Sequence, residues 1–249
     1  MSDFSNAVAL ITGAASGIGA ATASLLAQRG AKKLILCDSQ EGKLADFAFS
    51  LPSERQLLIG DVADERLWTE ADLSGLTHAV VNAGIGHAAP IAETSLAEWR
   101  RVMAVNLDGA FLALRAAMRA MRDGGSIVLT ASAAGFKPEK GIGAYAASKA
   151  AMIQLARVAA KEGAPRIRVN AIAPGGTQTP LWSDQPFFND LVEKTGSEEA
   201  AYREMAGSAT PLERFAQPEE IAAQIVFLLS EEAAFTTGTC LVADGGYSL

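Results

Sequence analysis

The junction between the first apolar run and the first helical stretch constrains the fold more than any other feature of the chain. Residues 7–12 form an apolar run that ends at a glycine-rich turn, which predicts a buried strand. Residues 17–29 then have helical character and stop at Gly30. A helix that begins in a glycine turn at the end of a strand points its free backbone amides at an anion, most often a phosphate group.

The same order of strand and helix continues along the rest of the chain. Further runs that favour strands lie at residues 33–37, 56–60, 78–82, 126–131, 166–173 and 238–243, and helical stretches lie at 41–49, 106–121, 144–161 and 218–229. We find no linker or internal repeat, so the 249 residues are interpreted as a single domain, 1–249. This alternation predicts an α/β fold with a parallel sheet covered by helices on both faces.

One region departs from the pattern. Residues 181–212 hold aromatic side chains among acidic ones, and they follow the carboxyl end of the sixth predicted strand. A long insertion at such a place is expected to form a lid or a wall of the substrate pocket. The alternative is a helical hairpin that only packs on the core.

Composition excludes several classes of function. The formal net charge of −7 argues against nucleic acid and against anionic membrane surfaces, because phosphate neutralisation needs clustered Lys and Arg. Residues 4–28 carry no charge, but glycines and polar residues interrupt them, so we do not expect a membrane span. Cys37 and Cys240 are isolated from each other and from both histidines, so no metal site is expected. Both are interpreted as buried reduced thiols, which fits a cytoplasmic protein.

The glycine turn is the candidate phosphate-binding element. Gly13 permits a tight turn, Gly17 lets the backbone approach a pyrophosphate, and Gly19 lets the helix lie near the sheet. Ser16 and Ile18, between these glycines, complete the candidate cofactor contacts of the turn. The motif lies between a predicted strand and a predicted helix, which is the context that a dinucleotide site requires.

Three further strand ends are expected to meet the same cofactor. Asp38 ends the second predicted strand, where a carboxylate hydrogen-bonds the adenosine ribose hydroxyls and repels a 2′-phosphate. This favours NAD over NADP, although Asp38 is also placed to cap the next helix. Asp61 and Val62 are candidates for the adenine. The turn Asn82-Ala83-Gly84 is expected to let the cofactor backbone pass.

The candidate chemistry depends on Tyr145 and Lys149, which share one face of a predicted helix because they are four residues apart. A free phenol has a pKa of about 10, and a nearby ammonium lowers it. Tyr145 can then act as a general acid in carbonyl reduction or as a base in alcohol oxidation. Ser132 follows the fifth predicted strand and is placed to bind the substrate oxygen. Asn106 is at the predicted start of a long helix, where it can cap the helix or hold a water.

Together these motifs resemble the short-chain dehydrogenase/reductase family from about Ala7 to the C-terminus. The matching motifs are Thr12-Gly13-x3-Gly17-x-Gly19, Asn82-Ala83-Gly84, Asn106, Ser132, Tyr145-x3-Lys149, Pro174-Gly175 and Asp244-Gly245-Gly246. The resemblance implies a doubly wound Rossmann fold with a seven-stranded parallel sheet. It also implies a homotetramer with two-fold symmetries.

The resemblance further implies a role for each member of a catalytic tetrad. Tyr145 exchanges the proton and Ser132 orients the carbonyl. Lys149 binds the nicotinamide ribose and lowers the pKa of Tyr145. Asn106 positions a water in a proton relay that runs through Lys149.

Some cofactor contacts and two departures also follow from the resemblance. Thr177 and Thr179, after Pro174-Gly175, are implied to hold the nicotinamide carboxamide. Val81 stands where the family often has a second Asn before the Asn-Ala-Gly turn. The stretch from Asp61 to Asn82 is shorter than usual, so we expect a trimmed third crossover helix.

The leading hypothesis is an NAD(H)-dependent oxidoreductase that moves a hydride between a nicotinamide and a secondary alcohol or ketone. Trp182, Phe187 and Phe188 favour an apolar or cyclic substrate, and His87 is a candidate substrate contact. One alternative is a 3-oxoacyl-thioester (acyl carrier protein) reductase that uses NADPH, against which Asp38 counts. Another is a catalytically silent dinucleotide sensor, against which the complete tetrad counts.

Overall fold

The structure is a computed structural model, and it describes residues 3–183 and 185–249. Met1, Ser2 and Asp184, which fall within the predicted domain or the predicted lobe, lie outside the described residues. The strands are β1 (Val8–Thr12), β2 (Lys33–Asp38), β3 (Glu54–Ile59), β4 (His78–Val81), β5 (Gly125–Thr130), β6 (Ile167–Pro174) and β7 (Cys240–Ala243). They form one sheet in the order β3-β2-β1-β4-β5-β6-β7, and every pair is parallel. The predicted doubly wound α/β fold is therefore confirmed.

Helices connect the strands as the alternation predicts. They are α1 (Gly17–Gln28), α2 (Glu41–Phe49), α3 (Glu65–Glu70), α4 (Leu96–Met103), α5 (Gly109–Ala120), α6 (Gly143–Gly163), α7 (Pro186–Thr195), α8 (Glu198–Ala209) and α9 (Pro218–Leu229). The α3 helix has six residues, in agreement with the trimmed crossover expected between Asp61 and Asn82. No helix in the described part of the chain is long and apolar enough to cross a membrane.

Two apolar cores lie on opposite faces of the sheet. Alternate strand residues such as Leu10, Ile127 and Val169 pack with α5 and α6 on one face. Their neighbours in sequence, such as Ile11 and Val128, pack with α1 and α9 on the other face. Successive side chains of a strand point to opposite sides, so a strand buried on both faces must be apolar throughout. This explains why β1 is buried at every position.

The structure corrects the prediction that a long helix begins at Asn106. The helix begins ten residues earlier in the sequence, as α4, and continues through the π-helical turn Ala104–Asp108 into α5. Ser95 caps α4 by accepting a hydrogen bond from the backbone N–H of Glu98 at 3.1 Å. A serine followed by a glutamate three residues later is a recognised signal of a helix start, and it identifies α4 in the sequence.

Two strands begin two residues away from the predicted positions, while the other strand boundaries agree within one residue. The β3 strand begins at Glu54 rather than at residue 56, and it lies at the edge of the sheet where polar side chains are tolerated. The β7 strand begins at Cys240 rather than at residue 238, because Gly238 has a φ of 73° that a strand does not adopt. The Cys37 thiol is buried as expected, whereas Cys240 is only partly buried.

The irregular region is a helical hairpin of α7 and α8 with its own aromatic cluster. Phe188 and Tyr202 are buried, and their ring centroids lie 4.8 Å apart. Trp182 stacks on Phe215 at 5.4 Å, which ties the hairpin to the segment before α9. The hairpin therefore has a core of its own, and it also faces the cavity described next.

Candidate active site

The carboxyl ends of the strands open into one cavity of about 1000 Å³. Every residue predicted to bind the cofactor or to act in catalysis lines this cavity, except Gly19 and Asn106. Gly19 and Asn106 are both buried behind its wall. The sheet thus gathers residues from across the sequence at the edge where α/β proteins bind ligands.

The glycine turn has the geometry that its sequence predicts. Gly13 and Gly17 have φ values of 66° and 52°, which favour glycine over residues with a side chain. A Cβ atom on Gly19 would collide with the backbone carbonyl of Gly13. The turn can therefore form only with glycine at this third position, which packs α1 closely against the end of β1.

Thr12 and Asn82 fix the turn to the neighbouring strand. The backbone N–H groups of Asn82 and Ala83 donate to Oγ1 of Thr12 at 2.9 and 3.0 Å. The Asn82 side chain donates to the carbonyls of Thr12 and Gly13 at 3.1 and 3.4 Å. These bonds join the carboxyl ends of β1 and β4, where the strand order reverses direction.

The loop after β6 closes over the glycine turn. The nearest neighbours of a Cβ built on Gly17 are side-chain atoms of Thr179, at 3.1 and 3.2 Å. Thr177 is buried, and its hydroxyl donates to the Gly175 carbonyl at 3.3 Å. Pro174 and Gly175 lie at the base of the same loop and line the cavity. Two segments predicted separately from the sequence are therefore in contact.

Asp38 ends β2 and faces the cavity, as predicted. Its carboxylate accepts a hydrogen bond from the backbone N–H of Ala15 and another from that of Gln40, both at 3.0 Å. The first bond holds the carboxylate beside the glycine turn. The second closes a turn just before α2, whose N-cap residue Gln40 has no side-chain cap, so Asp38 does not cap the helix. Asp61 and Val62 line the neighbouring wall, where the Asp61 carboxylate accepts from the Ala63 N–H at 2.9 Å.

Tyr145 and Ser132 come together from α6 and from the end of β5. Burial raises the pKa of the Tyr145 phenol, and a hydrogen bond with the Ser132 side chain acts in the opposite direction. The Ser132 hydroxyl also accepts from the backbone N–H of Ala134 at 3.2 Å, which caps a short helical turn and fixes the hydroxyl. The resemblance implies that Lys149 lowers the pKa of Tyr145. In the structure, burial has the largest effect on this pKa and raises it.

Lys149 lies one turn along α6 from Tyr145 and is buried. Its ammonium donates to the Thr130 carbonyl at 2.8 Å and lies 5.7 Å from the centre of the Tyr145 ring. Burial lowers the pKa of Lys149 to about 8. The ammonium is thus held beside Tyr145 by the backbone at the end of β5.

Asn106 lies inside the π-helical turn and is fully buried, so it does not cap a helix. Its Oδ1 accepts from the Ile85 N–H at 2.8 Å, and its Nδ2 donates to the Ile85 carbonyl at 3.0 Å and to Oγ of Ser148 at 3.1 Å. Asn106 therefore joins the loop after β4 to α6. The water relay through Lys149 stays a prediction.

Several cavity residues were not predicted from the sequence. Lys43 lines the cavity together with Asp38, and its position one turn into α2 is the signal that was available. Lys137, Glu139 and Tyr247 line another part of the wall. Tyr247 donates to Oε1 of Glu139 at 2.8 Å, while the Lys137 ammonium donates to the Tyr247 carbonyl at 2.7 Å. No local motif links residues 110 positions apart, so only the fold reveals this contact.

The residues at the glycine turn fit a dinucleotide. Ser16 begins α1 without a side-chain cap, and the first turn carries no acidic residue, so the first amides and the positive end of the helix dipole are left for an anion. Gly13, Gly17 and Ser16 all line the cavity next to these amides. A pyrophosphate has the charge that such a helix start binds.

The chain is similar along its whole length to proteins of known activity. A family model described as enoyl-(acyl carrier protein) reductase matches residues 13–248. A 2,5-dichloro-2,5-cyclohexadiene-1,4-diol dehydrogenase of Sphingobium indicum is 37% identical and is aligned over 100% of this chain and 99% of its own length. A cis-4-hydroxycyclohexanecarboxylate dehydrogenase of Sinomonas cyclohexanicum is 40% identical over 98% of each chain.

A solved structure shares the whole fold. L-sorbose reductase from Gluconobacter frateurii, complexed with NADPH and L-sorbose, has a TM-score of 0.91 and 30% sequence identity, over 99% of this chain and 98% of that one. The chain belongs to the short-chain dehydrogenase/reductase family. Members of this family are oxidoreductases that act on CH–OH groups and use a nicotinamide cofactor.

Proposed function

We propose that this protein is an NAD(H)-dependent oxidoreductase that interconverts a cyclic secondary alcohol and its ketone. The observation that carries the proposal is that Ser132, Tyr145 and Lys149 face the same cavity as the glycine turn and Asp38. Cofactor and substrate can therefore meet beside a residue that exchanges protons. The intact tetrad counts against a silent dinucleotide sensor.

The chemistry divides between the cofactor and the chain. When bound, the nicotinamide supplies or accepts the hydride at the substrate carbon. Ser132 donates a hydrogen bond to the substrate oxygen, and Tyr145 gives that oxygen its proton in reduction or removes it in oxidation. Burial raises the pKa of Tyr145, so the site holds this side chain as the phenol. The Lys149 ammonium stabilises the phenolate that forms when the proton leaves.

Asp38 supports the choice of NAD. A carboxylate held beside the glycine turn by the Ala15 amide accepts hydrogen bonds from ribose hydroxyls and repels a 2′-phosphate. Lys43, which also lines the cavity, is the observation that favours a second candidate, an NADPH-dependent 3-oxoacyl-thioester reductase. The NAD-dependent candidate requires the negative charge of Asp38 to dominate at the adenosine end of the cavity. The NADPH-dependent candidate requires the positive charge of Lys43 to dominate there.

The lining supports a cyclic apolar substrate. Leu181, Trp182, Phe187 and Met205 of the hairpin region line the cavity, and Phe215 closes it behind Trp182. Flat apolar rings bury their surface well against such side chains. The two dehydrogenases described above are named for substrates that contain a cyclohexane or a cyclohexadiene ring.

Two further expectations belong to the proposal. We expect a homotetramer, which size-exclusion chromatography with light scattering measures directly. We also expect a reducing, cytoplasmic location, because Cys37 and Cys240 are both free thiols.

A fluorescence titration of the purified protein with NADH and with NADPH tests the cofactor assignment. We expect NADH to bind at least about tenfold more tightly, since charge repulsion of this kind is worth about 1.4 kcal/mol or more. Tighter binding of NADPH would overturn the assignment and move the thioester reductase to the front. The oxidation of cyclohexanol by NAD tests the reaction class in the same preparation. The appearance of NADH measures the rate of this reaction.

A further inference from the structure

Lys137 places a positive charge on the cavity wall that the chain does not pair with a carboxylate. The residue is partly exposed and lines the cavity. No carboxylate oxygen among the described residues lies within 4.0 Å of its ammonium. A partly exposed lysine buries its aliphatic stem and keeps the charged end accessible. The tetrad chemistry described above does not use this charge.

The C-terminal segment fixes the position of the Lys137 ammonium. The ammonium donates to the Tyr247 carbonyl at 2.7 Å and lies 4.1 Å from the centre of the Tyr247 ring. An ammonium has three N–H donors, and this hydrogen bond uses one of them. The ammonium makes no other hydrogen bond within the described part of the chain, so it has donors left for a ligand.

The backbone around Tyr247 is itself held in place. The Asp244 carboxylate accepts from the backbone N–H of Gly246 at 2.9 Å and from that of Ser248 at 2.8 Å. These bonds fix the chain on both sides of Tyr247. An ammonium bonded to this backbone is preorganised, which lowers the entropy cost of binding an anion.

Lys137 follows the catalytic Ser132 after one tight turn. The Gly135 N–H donates to the Ser132 carbonyl and the Lys137 N–H donates to the Ala133 carbonyl, both at 2.9 Å. A turn of this kind rises about 2 Å per residue, so the Cα atoms of Ser132 and Lys137 are about 10 Å apart. One small ring with a charged substituent can therefore reach both side chains.

Glu139 is the acidic residue nearest to Lys137 in sequence, and Tyr247 separates the two charges. The Glu139 Oε1 accepts from the Tyr247 hydroxyl at 2.8 Å, at the end of the side chain away from the backbone. The Lys137 ammonium is bonded at the backbone end. Glu139 is also exposed, and water weakens the effect of an exposed charge. The positive charge therefore dominates at the backbone end of this ring.

We propose that Lys137 is a specificity-determining residue that binds a carboxylate group of the substrate. The preferred substrates are then cyclic hydroxy acids and the keto acids that they form. The reacting hydroxyl lies at Ser132 and Tyr145, and the carboxylate lies at Lys137. A single ammonium balances the one charge of a carboxylate, whereas a phosphate monoester carries about two. This inference rests on the proposed function, because it places the reacting hydroxyl at Tyr145.

The test compares the positional isomers of hydroxycyclohexanecarboxylate with the matching carboxamides, which have nearly the same shape and no charge. The first probe is kcat/KM with NAD. The second is the Kd of cyclohexanecarboxylate and of cyclohexanecarboxamide for the enzyme–NADH complex, by calorimetry. For at least one isomer the carboxylate should be preferred over the carboxamide by about tenfold, since a hydrogen bond between charged groups has about this value. Lys137→Met should abolish this preference, and Lys137→Arg, which keeps the charge, should retain part of it.

Two further variants separate the charge of Lys137 from a structural role. Lys140→Met removes an exposed ammonium that does not line the cavity, so it should leave the preference for the carboxylate unchanged. Glu139→Gln removes a negative charge and keeps an oxygen that can accept from the Tyr247 hydroxyl. It should raise the preference for the carboxylate by about twofold or more, because a like charge is lost from the same wall.

The outcomes distinguish a failure of this inference from a failure of the proposed function. Tighter binding of the carboxylate than of the carboxamide, without oxidation of any alcohol, would contradict the oxidoreductase proposal and support the role of Lys137. Oxidation of cyclohexanol by a wild type that prefers no carboxylate isomer over its carboxamide would support the proposed function and overturn the inference. An unchanged preference in Lys137→Met would show that Lys137 is only structural and would also overturn the inference.

Discussion

Asn106 binds both backbone polar groups of Ile85, with its Oδ1 2.8 Å from the amide nitrogen and its Nδ2 3.0 Å from the carbonyl oxygen. This double contact fixes the chain directly after the Asn82-Ala83-Gly84 turn. A third bond, to Oγ of Ser148 at 3.1 Å, connects the same side chain to α6. One buried amide thus holds the loop after β4 and the catalytic helix α6 in a common frame.

Asn106→Ala should lower the free energy of unfolding by about 3 kcal/mol, because it removes three hydrogen bonds and leaves both backbone polar groups of the half-buried Ile85 without this partner. Ser148→Ala is the matched control. It removes the bond from Asn106 and the bond that the Ser148 hydroxyl donates to the Tyr145 carbonyl. It keeps both contacts to Ile85 and should cost about 1.5 kcal/mol. Denaturant unfolding at one fixed protein concentration measures both values, since the stability of an oligomer depends on concentration. Equal costs would show that the contact with Ile85 contributes little.

Lys149 makes stability depend on pH. Burial lowers its pKa from 10.5 to about 8. Below about pH 8 the native state carries a buried ammonium, whose loss of hydration destabilises the fold. Between pH 8 and 10.5 the native chain releases a proton that the unfolded chain keeps, so this contribution to stability rises with pH.

Lys149→Met should remove that rise. Relative to the wild type, the variant should gain the most stability below pH 8, and its advantage should shrink towards pH 10.5. The exposed Lys161 of the same helix provides the control, and Lys161→Met should leave the pH dependence of unfolding as in the wild type. A wild type and a Lys149→Met variant with parallel stability curves across this window would contradict the account.

Asp38 is expected to select the cofactor through its charge. Asp38→Asn keeps an oxygen that can accept from the Ala15 or Gln40 amide, but it removes the repulsion of a 2′-phosphate. The ratio of kcat/KM for NADP to that for NAD should rise by about tenfold or more. Asp61→Asn, at the next strand end on the same cavity, should change both cofactors alike. An unchanged ratio in Asp38→Asn would mean that another residue, with Lys43 the first candidate, sets the preference.

Tyr247 should affect substrate binding more than folding. Its hydroxyl bonds Glu139 at 2.8 Å, and the Lys137 ammonium lies 4.1 Å from its ring centre, so the C-terminal segment forms part of the cavity wall. Tyr247→Phe removes the bond to Glu139 and keeps the ring. We expect KM for a cyclic alcohol to rise about threefold and the unfolding free energy to change by less than about 1 kcal/mol. A fall in kcat with an unchanged KM would place Tyr247 in the chemistry instead.

Much of the fold follows from the sequence because it depends on local patterns. The apolar strands and the glycine turn each act through neighbouring residues, and they indicated the parallel sheet and the strand ends at which the cavity opens. The helix before Asn106 was missed because Val102 is the one buried residue that α4 contributes, so no apolar run marks it, and the local signal was the Ser95 cap. The start of the last strand was misplaced because Gly238 adopts a left-handed backbone that the apolar pattern does not reveal.

The remaining site features depend on contacts between distant parts of the chain. The pairing of His87 with Glu98 and the contact of Tyr247 with Glu139 join segments that no motif connects. The pKa of Tyr145 likewise depends on distant parts of the chain. The spacing to Lys149 predicted a lowered pKa, whereas the burial of the phenol, which depends on the whole cavity, raises it.

The most direct test of the central claim is kcat/KM for the oxidation of cyclohexanol by NAD in the wild type and in Tyr145→Phe. NADH binding is measured alongside as the control for folding and for the cofactor site. We expect turnover in the wild type, a loss of about a thousandfold in Tyr145→Phe, and NADH binding within about twofold, since a positioned general acid or base contributes factors of that size. A Tyr145→Phe variant that oxidises the alcohol at the wild-type rate would contradict the account.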